Sequence, residues 1–246
     1  MRITESGIRM RTASKQDIVI SLEQDEEYIP APVRRLALRI WKNRDLMEEI
    51  LNVLRASYQA KKETFHISLA HLSKEDQETV ISIFEDMTGM VSMVHGSYRG
   101  ISGKLVMTPK AVSFIGGMYL EIAVFEKTRE IVRGIAFRRG LDYRVCRNGI
   151  VTMKSGRSKN EFDVVIILGE KLYVLEVKSG RNCDYDKYVK IGQEYGIVPG
   201  RFLLVDTYLS EEQASSIEYF CDYCVTNMDG NTFADKLTAM LEADLA

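Results

Sequence analysis

Three histidines and four cysteines among 246 residues leave little material for a soft-metal or redox centre. The cysteines are Cys146, Cys183, Cys221 and Cys224. Cys221 and Cys224 form one C-x-x-C with no second pair and no suitably spaced histidine pair, so zinc is not expected. His66 and His71 are five residues apart, which takes them off one helical face. No run of eighteen apolar residues occurs, and the N-terminus lacks the charged, apolar, then small order of a signal peptide. A soluble, cytoplasmic protein with no membrane partner is therefore expected. A net charge of −2 excludes a surface coated in cations, though not a local basic patch. There is no nucleophile elbow, Rossmann glycine fingerprint or activated cysteine, so a small-molecule α/β enzyme has little support. Gly96…Gly103-Lys104 has the wrong spacing for a phosphate loop, and Leu105 stands where Ser or Thr belongs. Internal repeats and low-complexity segments are also missing.

What the chain does have is 46% hydrophobic residues, enough for one good core and a small appended domain. Its most informative stretch is Asn160–Gly180, NEFDVVIILGEKLYVLEVKSG. Asp163–Leu168 and Leu172–Lys178 read as two strands joined by a turn at Gly169-Glu170. A two-residue turn sets Leu168 against Lys171 and, counting outward, Asp163 against Glu176. The period of two places Glu176 and Lys178 on one face and Val177 on the other. Both faces are otherwise apolar, as in a strand pair buried within a sheet. Two carboxylates and an ammonium there are costly unless paired, and a divalent metal is the usual partner. The alternative is a strand-end salt bridge from Lys178 to Glu176 or Glu161.

Upstream, Gly116-Gly117-Met118-Tyr119-Leu120-Glu121 opens a helical run to about Val132. Phe114, Met118, Glu121 and Phe125 share a helical face, so an acid interrupts an apolar stripe. Either Glu121 snorkels outward from the boundary or it serves a site. From Ile131 to Lys159 the chain carries Arg133, Arg138, Arg139, Arg144, Arg147, Lys154, Arg157 and Lys159 against one acid, Asp142. Such an excess beside a metal site would hold a phosphate backbone, Arg138, Arg139, Arg144, Arg157 and Lys159 being the candidates, unless it is only a solvated loop. Asn148-Gly149 looks like the turn of a hairpin between Tyr143–Arg147 and Ile150–Lys154.

Asp163 followed by Glu176-Val177-Lys178 resembles the D…ExK pattern of the PD-(D/E)XK nuclease superfamily. The order GGxxLE, NEFDV, LEVKSG further resembles the nuclease domain attached to CARF sensor domains in type III CRISPR defence proteins, whose motifs read approximately GGWLE, NE-hydrophobic-DV and ECK. Here Tyr119 replaces the Trp and Val177 the Cys. The resemblance covers about Val106 to the C-terminus. It implies an endonuclease that hydrolyses DNA or RNA with Mg²⁺ or Mn²⁺, in host defence, as a homodimer. Asp163, Glu176 and the Val177 carbonyl would be metal ligands, Lys178 would orient the attacking water, and Glu121 would be an auxiliary acid and candidate ligand. The competing reading is a nucleic-acid-binding or assembly subunit that keeps the fold without cleaving.

The rest of the chain fits this outline. After Lys178 come a helix from about Asp184 to Tyr195 ending at Gly196, a strand Arg201–Asp206, a helix Glu211–Tyr223, a short strand Cys224–Thr226 and a helix Thr232–Ala243. In the superfamily a helix follows the ExK strand, and the resemblance implies that here Lys187, Lys190 or Gln193 could be offered to the site. A restriction-endonuclease-like mixed sheet flanked by helices is expected over residues 106–246. Residues 1–105 are expected to form a smaller α+β accessory domain: a strand Asp17–Leu22, an acidic cluster Glu23–Glu27, a long helical pattern Val33–Ala60 breaking near Asn43-Arg44-Asp45, where Asp45 could cap the second part, a strand Thr64–Ala70, a helix from Ser73, and a hairpin in Met90–Met107. A winged helix would suit that order. The complete sensor of the CARF-linked proteins has no room in it, so cyclic oligonucleotide sensing is not carried over.

Overall fold

The computed structural model describes residues 2–4, 7–12, 17–21, 29–153, 159–179, 183–221, 223–227 and 231–245. The acidic cluster at Glu23–Glu27, together with Lys154, Arg157 and Gly180, lies outside the described residues. The elements run β1 (Arg2–Thr4), β2 (Gly7–Arg11), β3 (Asp17–Ile20), α1 (Ala31–Lys42), α2 (Arg44–Gln59), β4 (Thr64–Ser68), α3 (Lys74–Asp86), β5 (Val91–Ser97), β6 (Gly100–Leu105) and α4 (Pro109–Ser113). A π-helical turn, Phe114–Met118, leads into α5 (Tyr119–Arg139), followed by β7 (Tyr143–Met153), β8 (Lys159–Leu168), β9 (Lys171–Lys178), α6 (Tyr185–Tyr195), β10 (Phe202–Asp206), α7 (Glu211–Cys221), β11 (Cys224–Thr226) and α8 (Thr232–Leu245).

The contacts divide this chain into two compact units, and not at the boundary read between residues 105 and 106. One unit joins Met1–Tyr28 to Val124–Ala246, and the other is Ile29–Ala123. The reason is strand pairing. β3 runs antiparallel to β7 with Ile18 against Met153 and Ile20 against Val151, which attaches the beginning of the chain to the later sheet.

The first unit is an eight-stranded sheet in the order β1-β2-β3-β7-β8-β9-β10-β11. It is antiparallel from β1 through β9, then parallel across β9–β10 and β10–β11. On one face Val165, Ile167, Leu172, Val174, Phe202 and Leu204 form a core with Tyr188 and Tyr195 of α6 and Ala214 of α7. The alternate residue Tyr173 instead sends its hydroxyl to Asp244 of α8. Apolar residues at both parities of β8 and β9 thus reflect helices over both faces.

Local chemistry fixes the ends. Gly169, at φ 59°, and Glu170 make the tight β8–β9 turn. Asp184 caps α6 by accepting from the Lys187 N–H at 3.2 Å, and Gly196 closes it in the left-handed region. The expected hairpin around Asn148-Gly149 does not form: β7 is one continuous strand of 11 residues. Asn148 takes φ 51°, and a Cβ on Gly149 would lie 2.3 Å from Val165 Cγ2. The pair kinks a strand and lets its neighbour close in; it does not reverse the chain.

The second unit packs α1, α2 and α3 with a three-stranded antiparallel sheet ordered β4-β6-β5. The helical pattern breaks at Asn43, which occupies the junction, while Asp45 falls in the first turn of α2 and does not cap it. Ser73 caps α3 by accepting from the Asp76 N–H at 3.1 Å and donates to the Asp76 carboxylate. Arg39 is committed to Ser82 and Asp86 of α3, so at least this cation of α1 serves packing.

Candidate active site

The β8–β9 register is the one implied by a two-residue turn: Leu168 faces Lys171, and the ladder continues to Val164 against Leu175. It stops one step short of Asp163 against Glu176. At that step the Val177 N–H donates to Asp163 Oδ2 at 2.6 Å, so a side chain replaces the backbone acceptor. Asn148, the kinked residue of β7, lies between the ladder pairs Arg147–Val164 and Gly149–Phe162, which puts it alongside Asp163. The strand irregularity and the acid occur at the same level of the sheet.

Glu176 is only 6% exposed, and Lys178, whose side chain is 31% exposed, places Nζ 3.0 Å from Glu176 Oε2. The salt bridge considered from sequence is therefore present. Burial pushes the Glu176 carboxyl up to about 7; the Asp163 charge adds to this, and Lys178 opposes it. Asp163 is also raised, first by burial, although Lys178 and the Val177 N–H pull the other way. Burial alone would lower Lys178, but Glu176 and Asp163 outweigh it and leave the ammonium raised. The two carboxylates thus crowd one close ammonium, and the Lys187 charge also acts on both.

Two neighbouring carboxylates are hard oxygen donors and fit Mg²⁺ or Mn²⁺. Asp163 and Glu176 could hold such an ion. Among the described residues, no group of three or more His, Cys, Asp or Glu gathers as a ligand set, so further ligands would be backbone oxygens or water. Glu121 stands at the start of α5 in the Ile29–Ala123 unit and is half-buried there. The stripe Phe114–Met118–Glu121–Phe125 is not one continuous α-helical face. Phe114–Met118 is a π-helical turn and Gly117 departs from helical geometry, at φ 159° and ψ −19°.

A residue that sequence reasoning passed over is Asp206. It ends the apolar run of β10, faces Lys178 in the parallel ladder and is 2% exposed. Burial raises it; the Tyr208 N–H, the Tyr185 hydroxyl and Lys178 act against that shift. A carboxylate closing a run of four apolar strand residues was the available signal. On α6, Lys187 is the basic side chain whose charge reaches both Asp163 and Glu176.

The expected phosphate-binding arginines are not gathered here. Arg138 and Arg139 pair with Glu242 of α8 at 3.1 and 2.6 Å. The same helix binds Arg201 through Asp244 at 2.7 Å, and Lys171 as well. Those partners mark the turn end of the hairpin, where β9 begins, and five strand residues put Glu176 about 16 Å away. Arg144 pairs in register with Ile167, nearer the turn than the acids, and is exposed. Lys159 pairs with Thr152 beyond the acid end and is exposed. Arg157 lies outside the described residues.

No protein-family profile matches the sequence, and no curated protein matches it. Solved structures do match in fold. VC1899 from Vibrio cholerae has a TM-score of 0.56 at 16% identity, over 92% of this chain and 57% of that one. Can2 from Sulfobacillus thermosulfidooxidans, solved in complex with cyclic tetra-adenylate, has a TM-score of 0.55 at 15% identity, over 87% of this chain and 56% of that one. The chain thus spans a little over half the length of either protein. Among the described residues, no helix is long and apolar enough to cross a membrane. At such identities the likeness establishes a shared mixed α/β fold and leaves the chemistry to the residues of this chain.

Proposed function

We propose that the protein is a metal-dependent endonuclease of PD-(D/E)XK type, hydrolysing phosphodiester bonds in DNA or RNA. The observation that carries this reading is the cluster of Asp163, buried Glu176 and Lys178 on adjacent strands, with Glu176 held against Lys178 at 3.0 Å. Asp163 and Glu176 hold Mg²⁺ or Mn²⁺, with the Val177 carbonyl as a further oxygen ligand and Glu121 as an auxiliary acid. When bound, the ion supplies charge neutralisation and a water of lowered pKa. Lys178 orients the attacking water and meets the charge that develops on the phosphate. Lys187 draws the substrate backbone toward the acids, aided by Arg144 and Lys159. With no covalent nucleophile in the cluster, positioning and electrostatics supply the rate.

The fold likeness to Can2 supports a nuclease-like assignment, and the D…ExK residues give it chemistry. A place in CRISPR-associated host defence, a homodimeric state and a winged-helix role for the unit of α1–α3 and β4–β6 belong to the same proposal. A second reading, a nucleic-acid-binding or assembly subunit that does not cleave, is favoured by one observation: Glu176 already has a structural partner, the Lys178 ammonium at 3.0 Å. Labelled single- and double-stranded DNA and RNA, incubated with Mn²⁺, Mg²⁺ or EDTA, separate the two. Metal-dependent cutting lost in Lys178→Ala upholds the nuclease; binding without cutting by any combination upholds the subunit.

A further inference from the structure

Among the described residues, Lys178 presents its ammonium to the Glu176 carboxylate and to the ring of Tyr188 on α6, and Asp163 adds its charge. Nζ lies 3.0 Å from Glu176 Oε2 and sits over the Tyr188 ring, 5.3 Å from its centre. Glu176 is also the residue a metal would engage, so a second holder is needed if the lysine is to keep its place. Tyr188 is well suited to that. It is buried, and its ring sits 6.1 Å from that of Phe202, which fixes the phenol from the core side. α6 itself is anchored one turn earlier. The Tyr185 hydroxyl donates to the buried Asp206 carboxylate at 3.2 Å, and the Tyr185 carbonyl accepts from the Tyr223 hydroxyl at 3.2 Å. The strand side is tied as well. Asp206 faces Lys178 in the ladder, and both the N–H and the hydroxyl of Thr207 donate to the Lys178 carbonyl at 3.2 Å.

We propose that Tyr188 is a positioning residue for Lys178, and that the Tyr185–Asp206 bond acts through it by fixing the first turn of α6 against the end of β10. This rests on the nuclease reading, in which Lys178 must stay aimed at the phosphate while Glu176 is occupied. The ammonium lies over the ring face, so the contact persists whatever the Glu176 carboxylate does. Asp206 needs no contact with substrate for this role.

The test uses this protein with Tyr188→Leu, Tyr188→Phe, Tyr185→Phe and the Tyr188→Leu/Tyr185→Phe double variant, reading kcat and KM separately and Mn²⁺ affinity by calorimetry without substrate. Tyr188→Leu removes the ring beside the ammonium, so kcat falls about 5- to 30-fold, the range for losing a partly desolvated cation–π contact. Tyr188→Phe keeps the ring face and stays within about threefold of wild type. Mn²⁺ affinity stays within about twofold in every variant, because the metal ligands do not change. Tyr185→Phe removes the hydroxyl that donates to Asp206 and lowers kcat in the same way, and the double variant is no worse than Tyr188→Leu alone, since both act on one contact. Unchanged kcat in Tyr188→Leu, or fully additive losses, overturns the inference while wild-type cutting upholds the nuclease. A rise in KM with parallel losses of Mn²⁺ affinity and Tm also overturns it, by showing a merely structural effect. A wild-type protein that binds Mn²⁺ yet cuts no nucleic acid with Mg²⁺ or Mn²⁺ overturns the nuclease reading and this inference together.

Discussion

The Val177 N–H donates to the Asp163 carboxylate at 2.6 Å, one step beyond the last backbone pair of the β8–β9 ladder. The acid proposed as a metal ligand therefore also holds the strands together where their ladder ends. Asp163→Asn keeps an acceptor in that place and removes the charge. Its expected outcome is loss of metal-dependent cutting with a Tm close to wild type, whereas Asp163→Ala loses both. Paired melting curves and cleavage gels check this.

Lys178→Ala should lower cleavage about 10²- to 10⁴-fold, the range for losing a positioned acid–base or charge-stabilising group. The variant should still bind Mn²⁺, because the two carboxylates remain. It should also raise Mn²⁺ affinity slightly, since a cation competing for Glu176 has gone. Calorimetry beside single-turnover kinetics reads both effects.

Stability should depend on pH in a stated direction. Glu176 and Asp163 are raised in the fold by burial, so the folded protein holds their protons more tightly than the unfolded chain does. That contribution is fully present below the unfolded carboxylate range and is lost as pH rises through about 7, where Glu176 titrates in the fold. The Tm of metal-free protein should fall across that window, and Glu176→Gln should flatten the fall. Mn²⁺ should raise the Tm more at high pH than at low, because ion and protons compete for the same oxygens.

The kink in β7 should tolerate very little. Gly149→Ala drives a Cβ against Val165, where overpacking typically costs about 1–3 kcal/mol. Asn148→Gly should be harmless, and Asn148→Val should destabilise by about 1–2 kcal/mol through its left-handed backbone. Urea titrations measure all three.

Removing Arg138 and Arg139 together should barely change nucleic-acid affinity, because both are tied to Glu242 at the turn end of the hairpin. Lys187→Ala should weaken binding and lower the salt slope by about 1, as expected for one phosphate contact. Filter binding across a salt series separates these cases.

Much of the sheet was legible in the sequence because its signals are local. The Gly169-Glu170 turn sets the hairpin register, and Asp184 with Gly196 bounds α6. The elements that misled have meanings set at long range. Asn148-Gly149 carries the residue types of a turn, but β8 lies alongside β7 and turns the pair into a kink. Arg138 and Arg139 precede the acids in sequence by little, yet α5 ends at the far end of β9, where α8 neutralises them. Asp206 drew no notice because a single acid after an apolar strand has no pattern of its own; only the parallel ladder brings it opposite Lys178. The pairing of β3 with β7 spans the whole of Ile29–Ala123, and no local signal announces it.

That pairing has a consequence for how the molecule is made. The first three strands emerge from the ribosome long before β7, the strand they join, and everything from Ile29 to Ala123 is synthesised in between. Contacts this distant in sequence form late, after their closure entropy has been met by the folding of what lies between. During that interval β1–β3 present an unpaired edge, the kind of surface that invites pairing with other chains. Early compaction of the α1–α3 unit shortens the effective span, so its folding would act as an internal chaperone for the sheet.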